Sequence, residues 1–166
     1  MTTTIGRAIT AKLIGLMIGD RGVNSRVAEF PPAIRMPLAR LNVAQVRAQN
    51  VATDIAERSN TVQYPAVNVY CEKVVNSLAE KFRSFSGSAQ MVIELRHSLD
   101  RIDGLQDSLE AYADAVMQVL NTNRGDWGDG MFYAGEYQAI FGAVKHGGKN
   151  FIQVVKITFE IGVSRS

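Results

Sequence analysis

The sequence predicts an α+β fold: an antiparallel or mixed β-sheet packed against one long helix, with an N-terminal helix and a long C-terminal β-hairpin. Three features carry that reading. Val155, Ile157, Phe159, Ile161 and Val163 alternate with Lys156, Thr158, Glu160 and Gly162, the period of a strand with one buried and one wet face. Leu105, Leu109, Tyr112, Val116 and Leu120 recur at steps of three and four, the stripe of an amphipathic helix. The basic stretch Lys145-His146-Gly147-Gly148-Lys149-Asn150 separates two runs of strand character, Met131 to Ala143 and Phe151 to Val163. Its glycines supply the positive φ that tight hairpin turns require.

The remaining elements follow in chain order. Ile5, Ile9, Leu13 and Leu16 form an apolar stripe at helical spacing, with Thr2, Thr3 or Thr4 available as the cap. The apolar run Leu13 to Ile18 after Arg7 and Lys12 is short, and Asp20-Arg21-Gly22 follows where a signal peptide needs small residues, so a helix is expected rather than a leader. Residues 19–41 hold two glycines, Pro31-Pro32 and Pro37 without a sustained period, and read as a loop or extended arm. Val43 to Gln49 alternates as a strand does, although Asn42 to Arg58 is also rich in helix formers. Thr53 or Asp54 is placed to cap a short helix through Arg58, with Glu57 completing part of a capping box. Tyr64 to Cys71 is a strand with Val67, Val69 and Cys71 on one face. After Ser86-Gly87-Ser88, residues Ala89 to His97 form a second strand, half-buried, with Met91, Ile93 and Leu95 inward and Gln90, Glu94 and Arg96 outward. Ser98 or Asp100 opens the long helix, which stops among Asn121 to Gly125.

All 166 residues fit one domain, and 46% hydrophobic residues suffice for a core. A net charge of +2 is too slight to imply nucleic-acid binding, and no apolar run approaches the length of a membrane span, so a soluble protein without a membrane partner is expected. The single cysteine, Cys71, excludes an intrachain disulfide and reads as a buried structural thiol. Sites of chemistry are sparse. His97 and His146 are the only histidines and lack zinc-ligand spacing, so no metal is expected. Gly147-Gly148-Lys149 lacks the spacing of a phosphate loop and precedes a strand. Asn121, Asn123, Asp126 and Asp129 resemble a helix stop and turn more than a calcium loop, because Phe132 stands where a closing carboxylate is needed. Trp127 is expected to anchor packing, with its indole N–H on a carbonyl. No catalytic residue and no cofactor site is assigned, and the chain is not expected to be an enzyme.

The least ordinary feature is a row of acids, Asp100, Asp103, Asp107, Glu110 and Asp114, at steps of three and four opposite the apolar stripe of the long helix. Like charges at this spacing oppose helix formation by a few tenths of a kcal/mol. A solvated face is the plain reading. A complementary basic neighbour in an assembly, or a charged wall along a passage, is the functional one.

Four segments together, Tyr64-Pro65-Ala66-Val67-Asn68-Val69-Tyr70-Cys71-Glu72-Lys73, Phe82-Arg83-Ser84-Phe85-Ser86-Gly87, Asn123-Arg124-Gly125-Asp126-Trp127-Gly128 and Lys145-His146-Gly147-Gly148-Lys149-Asn150-Phe151, resemble the tail-terminator and tail-completion proteins of long-tailed bacteriophages. The likeness spans residues 43–164. It implies a structural virion protein, assembled in the bacterial cytoplasm, that closes into a ring, usually a hexamer, on the head-proximal end of the tail tube. Such a ring stops tube polymerisation and presents a docking surface for the head connector. The implied partners are further copies of the chain, the tail tube protein, the connector or neck protein, the sheath protein of a contractile tail, and genomic DNA passing through the lumen. Candidate contacts to a neighbouring subunit, the tube or the lumen are Lys145, His146 and Lys149 at the hairpin tip and Asp103, Asp107, Glu110 and Asp114 on the helix. A neck adaptor seated on the connector is the rival reading, and a monomeric enzyme or free nucleic-acid-binding domain the more distant one.

Overall fold

The computed structural model describes residues 4–30, 38–58 and 62–166. Its order is α1 (Ile5–Ile18), α2 (Val23–Ala28), a 3-10 turn (Val43–Gln45), β1 (Val46–Arg47), α3 (Thr53–Glu57), β2 (Ala66–Asn76), β3 (Phe85–Leu99), α4 (Leu105–Thr122), β4 (Gly125–Gly128), β5 (Met131–Tyr133), β6 (Tyr137–Phe141), β7 (Lys145–Gly147) and β8 (Asn150–Arg165). The fold is α+β. One mixed eight-stranded sheet runs β1-β2-β3-β8-β5-β4, with β6 and β7 also paired to β8. Every described pairing is antiparallel except β1 with β2.

The core lies between one face of this sheet and the helices. Val67 and Val69 of β2, Met91, Ile93 and Leu95 of β3, and Val155, Ile157, Phe159, Ile161 and Val163 of β8 are buried there, as their alternation requires. Leu109, Tyr112, Val116 and Leu120 of the α4 stripe are buried against them, and Leu105 is buried at the start of the helix. Each such side chain removed from water contributes about 1.5–3 kcal/mol. On α1, Ile9 and Leu13 reach the core as expected, and Met17 joins them while Leu16 is only partly buried. Gly6 brings this helix close to the sheet, since a Cβ there would stand 2.8 Å from Cys71 Cβ.

Several expectations are corrected. The 131–143 arm of the hairpin is not one strand. Gly135 at φ 107 and the stretch Gly142–Val144 break it into β5, β6 and β7, all laid along β8. The tip itself is as expected: Gly147 pairs with Asn150, leaving Gly148 and Lys149 as the turn, with Gly148 at φ 81.

Segment 19–41 is not simply a loop or extended arm. Val23 and Val27 are buried on α2, the Asn24 side chain bonds the Leu41 N–H and C=O at 2.7 Å each, and Arg26 Nη2 donates to Thr122 Oγ1 at 3.3 Å. Residues 31–37 of that segment, and Thr2 and Thr3, lie outside the described residues. Thr4 holds the cap position of α1 without a side-chain capping bond, and Ala52, not Thr53 or Asp54, precedes α3. Helix-cap chemistry of the expected kind occurs instead at Asn42, whose N–H bonds Gln45 Oε1 at 2.9 Å. The Val43–Gln49 strand shrinks to Val46–Arg47, and the Tyr64–Cys71 strand extends to Asn76.

Candidate functional site

The two predicted clusters lie toward the same end of the sheet, since Phe151 pairs with His146 of the hairpin tip and with Leu99, which leads into the turn carrying Asp103. Lys145, His146 and Lys149 are all exposed at the β7–β8 turn, and the His146 ring meets Phe151 edge-on with centroids 5.5 Å apart. Asp103, Asp107, Glu110 and Asp114 are exposed as well, but the row is shorter than a helical reading suggests. β3 continues to Leu99 and α4 begins only after Gly104, held at φ 81, so Asp100 and Asp103 sit in the connecting turn. Asp107 lies in the first helical turn, where the macrodipole favours a negative charge. Although Asp114 is exposed, desolvation by its surroundings and then the neighbouring Glu110 push its carboxyl above the usual range. Glu110 accepts a 2.8 Å hydrogen bond from Gln106 Nε2. The ion pairs Glu80–Arg83 and Glu94–Arg96 lie outside this row.

The loop after α4 terminates a helix, as expected. Asn123 Nδ2 bonds the Val119 carbonyl at 2.7 Å, Trp127 Nε1 bonds the Asn123 carbonyl at 2.6 Å, and Asp126 Oδ1 accepts from the Gly128 N–H at 2.7 Å. Among the described residues no group of three or more His, Cys, Asp or Glu is placed to hold a metal ion.

The largest departure from the sequence reading is the second face of the sheet. Gln90, Glu94 and Arg96 are read as water-facing, yet Glu94 and Arg96 are 4% and 2% exposed. Segment 49–51 crosses over them: Gln49 Nε2 bonds Asn68 Oδ1 at 3.0 Å, and Arg96 Nη2 donates to the Val51 carbonyl. Arg96 Nε closes a 2.9 Å ion pair on Glu94 Oε1, and Tyr70 Oη donates to Glu94 Oε2 at 3.3 Å. Burial, then the Glu94 charge, raise the Tyr70 hydroxyl to about 12. The cluster is closed and satisfied, which suits a structural tie better than a reaction centre. A Glu and an Arg two apart on one strand face was the signal available for it.

His97 is also interior rather than at a strand end. It sits within β3, edge-on to Tyr112 at 5.8 Å, with Nδ1 buried and unpartnered, opposite Gln153 of β8. Burial pulls its pKa below the usual histidine value.

Cys71 is half-buried, not enclosed. It lines an apolar groove of about 800 Å³ between α1 and the edge of β2, together with Ile14, Ile18 and Val69. The sequence matches no family model and no curated protein. Among the described residues, no helix is long and apolar enough to cross a membrane.

Proposed function

We propose that this chain is a structural virion protein that closes into a ring, a hexamer on the resemblance stated above, and caps the head-proximal end of a phage tail tube. The observation that carries the reading is a sheet with edge strands on both sides of a helix-backed core, in a chain whose buried Glu94–Arg96–Tyr70 cluster is closed. A head-to-tail contact uses two different patches of one surface, and a fixed rotation between copies closes it into a ring. The resemblance of four sequence segments to tail terminators supports this class of assembly. Capping needs one surface that imitates the next tube ring and another that does not, and the exposed basic β7–β8 turn and the exposed acids of α4 offer patches of opposite charge for such contacts.

On this reading the partners are other copies of the chain, the tail tube protein, the head connector, the sheath protein if the tail contracts, and the DNA that passes through the lumen. The protein acts in the virion, at the junction of head and tail. The test is electron microscopy of particles made without it. Overlong tails are the expected result. Tails of normal length beside unattached heads would contradict capping and move the protein to the connector as a neck adaptor.

A further inference from the structure

Two strand edges of the sheet are chemically matched to each other. Among the described residues, β1 covers β2 only at Val67 and Asn68, so the edge of β2 is open from Val69 until the bulge between Cys71 and Lys73. That open stretch is where the apolar groove lies, and its lining includes Val69, Tyr70 and Cys71 from both faces of the strand. The groove therefore runs along the edge itself, between α1 on one side and residues 48–50 on the other. At the opposite side of the sheet, β6 has β8 as its one partner among the described residues, in an unbroken register from Tyr137↔Phe159 to Phe141↔Val155. Edge strands of proteins that stay alone carry charges, prolines or bulges. β6, with the sequence Tyr-Gln-Ala-Ile-Phe, has none of these, and leaves Ile140 56% and Phe141 39% exposed.

We propose that β6 of one copy adds to the open edge of β2 of the next copy, antiparallel, with Tyr137, Ala139 and Phe141 facing the α1-walled groove. The orientation follows from the sheet. β2 and β3, β3 and β8, and β8 and β6 are each antiparallel, so β6 runs opposite to β2. Strands can pair across a cyclic interface only if the rotation nearly preserves strand direction, so the relation holds between neighbours too. The facing follows from parity: Tyr137, Ala139 and Phe141 share the helix-side face with Val69 and Cys71 through the paired residues Phe159, Ile157 and Val155. Charge agrees with this direction. Exposed Glu136, just before β6, comes toward exposed Lys73 just past the groove on β2, although exposed Glu72 sits beside that lysine. Backbone pairing supplies affinity in such strand addition and the alternate side chains supply register. The inference rests on the ring reading for its closure, and specifies which edges meet.

Cys71, the chain's only cysteine, makes the test direct. Tyr137→Cys, Ala139→Cys and Phe141→Cys are made singly in the full-length chain, with Gln138→Cys and Ile140→Cys as opposite-face controls. Each is oxidised at the highest soluble concentration, and disulfide peptides are read by mass spectrometry. Cross-strand cysteines of one face lie within disulfide reach, whereas those of opposite faces point apart. The expected result is an intermolecular bond from Cys71 to at least one of positions 137, 139 and 141, a ladder of covalent multimers, and no such bond from 138 or 140. Adding Cys71→Ser abolishes the ladder. Ala139→Cys changes little volume and keeps the test free of misfolding, which circular dichroism verifies. A ring seen by sedimentation without any such bond overturns the edge assignment and leaves the ring standing. A chain that stays monomeric and unlinked overturns the edge assignment and counts against the ring as well. Wild-type chains joined through Cys71 to Cys71 also overturn it, because that contact is two-fold.

Discussion

Replacing Arg96 by Met leaves the Glu94 carboxylate inside the protein without its cation, and this is the most informative perturbation of the fold. The two side chains are 2% and 4% exposed and 2.9 Å apart, and Arg96 also satisfies the Val51 carbonyl of the covering segment. Breaking a buried pair by removing one partner costs about 3–5 kcal/mol, several times the typical loss from an exposed pair such as Glu80–Arg83. For a chain of this size each kcal/mol moves the thermal midpoint by about 2–4 °C, so a fall of roughly 6–20 °C is expected. The assays are thermal and urea unfolding followed by circular dichroism, with both midpoints falling and the urea slope unchanged. The double variant Glu94→Leu/Arg96→Met recovers much of the loss, since an apolar pair of similar volume is tolerated where a lone charge is not. A single-variant loss below about 1 kcal/mol, or a double variant as unstable as the sum of the singles, would refute the claim that the pair acts as a sealed unit.

Three further outcomes are expected. Because burial lowers the pKa of His97, the unfolded chain binds its proton first as pH falls; its contribution to stability is full above about 6.5 and declines below it. A His97→Gln variant therefore shows a flatter loss of thermal midpoint from pH 7 to pH 5, and an unchanged slope would count against the buried placement. Gly6→Val drives a branched side chain against Cys71, whose Cβ already stands 2.8 Å from any Cβ at that site, so α1 is displaced, the groove changes shape, and thiol labelling of Cys71 speeds up. Unaltered labelling would mean the close approach of helix and strand is wrong. Charge reversal at Lys145 and Lys149 together leaves thermal stability nearly unchanged, since both are exposed, but lowers assembly and infectivity. Wild-type assembly would remove the β7–β8 tip from the contact surface.

Alternation and helical periodicity located the core strands and α4 because a buried face imposes its period directly on the side chains. The same signals misplaced features decided by distant chain. Glu94 and Arg96 look solvent-facing in strand context, and only segment 49–51 folding across them makes that face interior. The 131–143 arm keeps its alternation through Tyr137, Ala139 and Phe141, so the breaks at Gly135 and Gly142–Val144 are hidden in the pattern. Asp100 and Asp103 continue the acidic spacing of α4 but belong to the turn before it, because β3 pairs with β8 as far as Leu99. The exposed positions of Lys145, His146 and Lys149 were legible from turn chemistry. The groove beside β2 was not, since it depends on how short β1 is and on where α1 comes to rest.

The central claim is that this protein ends tube growth by its shape, and polymerisation of the purified tail tube protein tests that most directly. Added during growth, the protein is predicted to bind one end of each tube and to shorten the tubes in proportion to its dose. Tubes of unchanged length with bare ends would contradict the account.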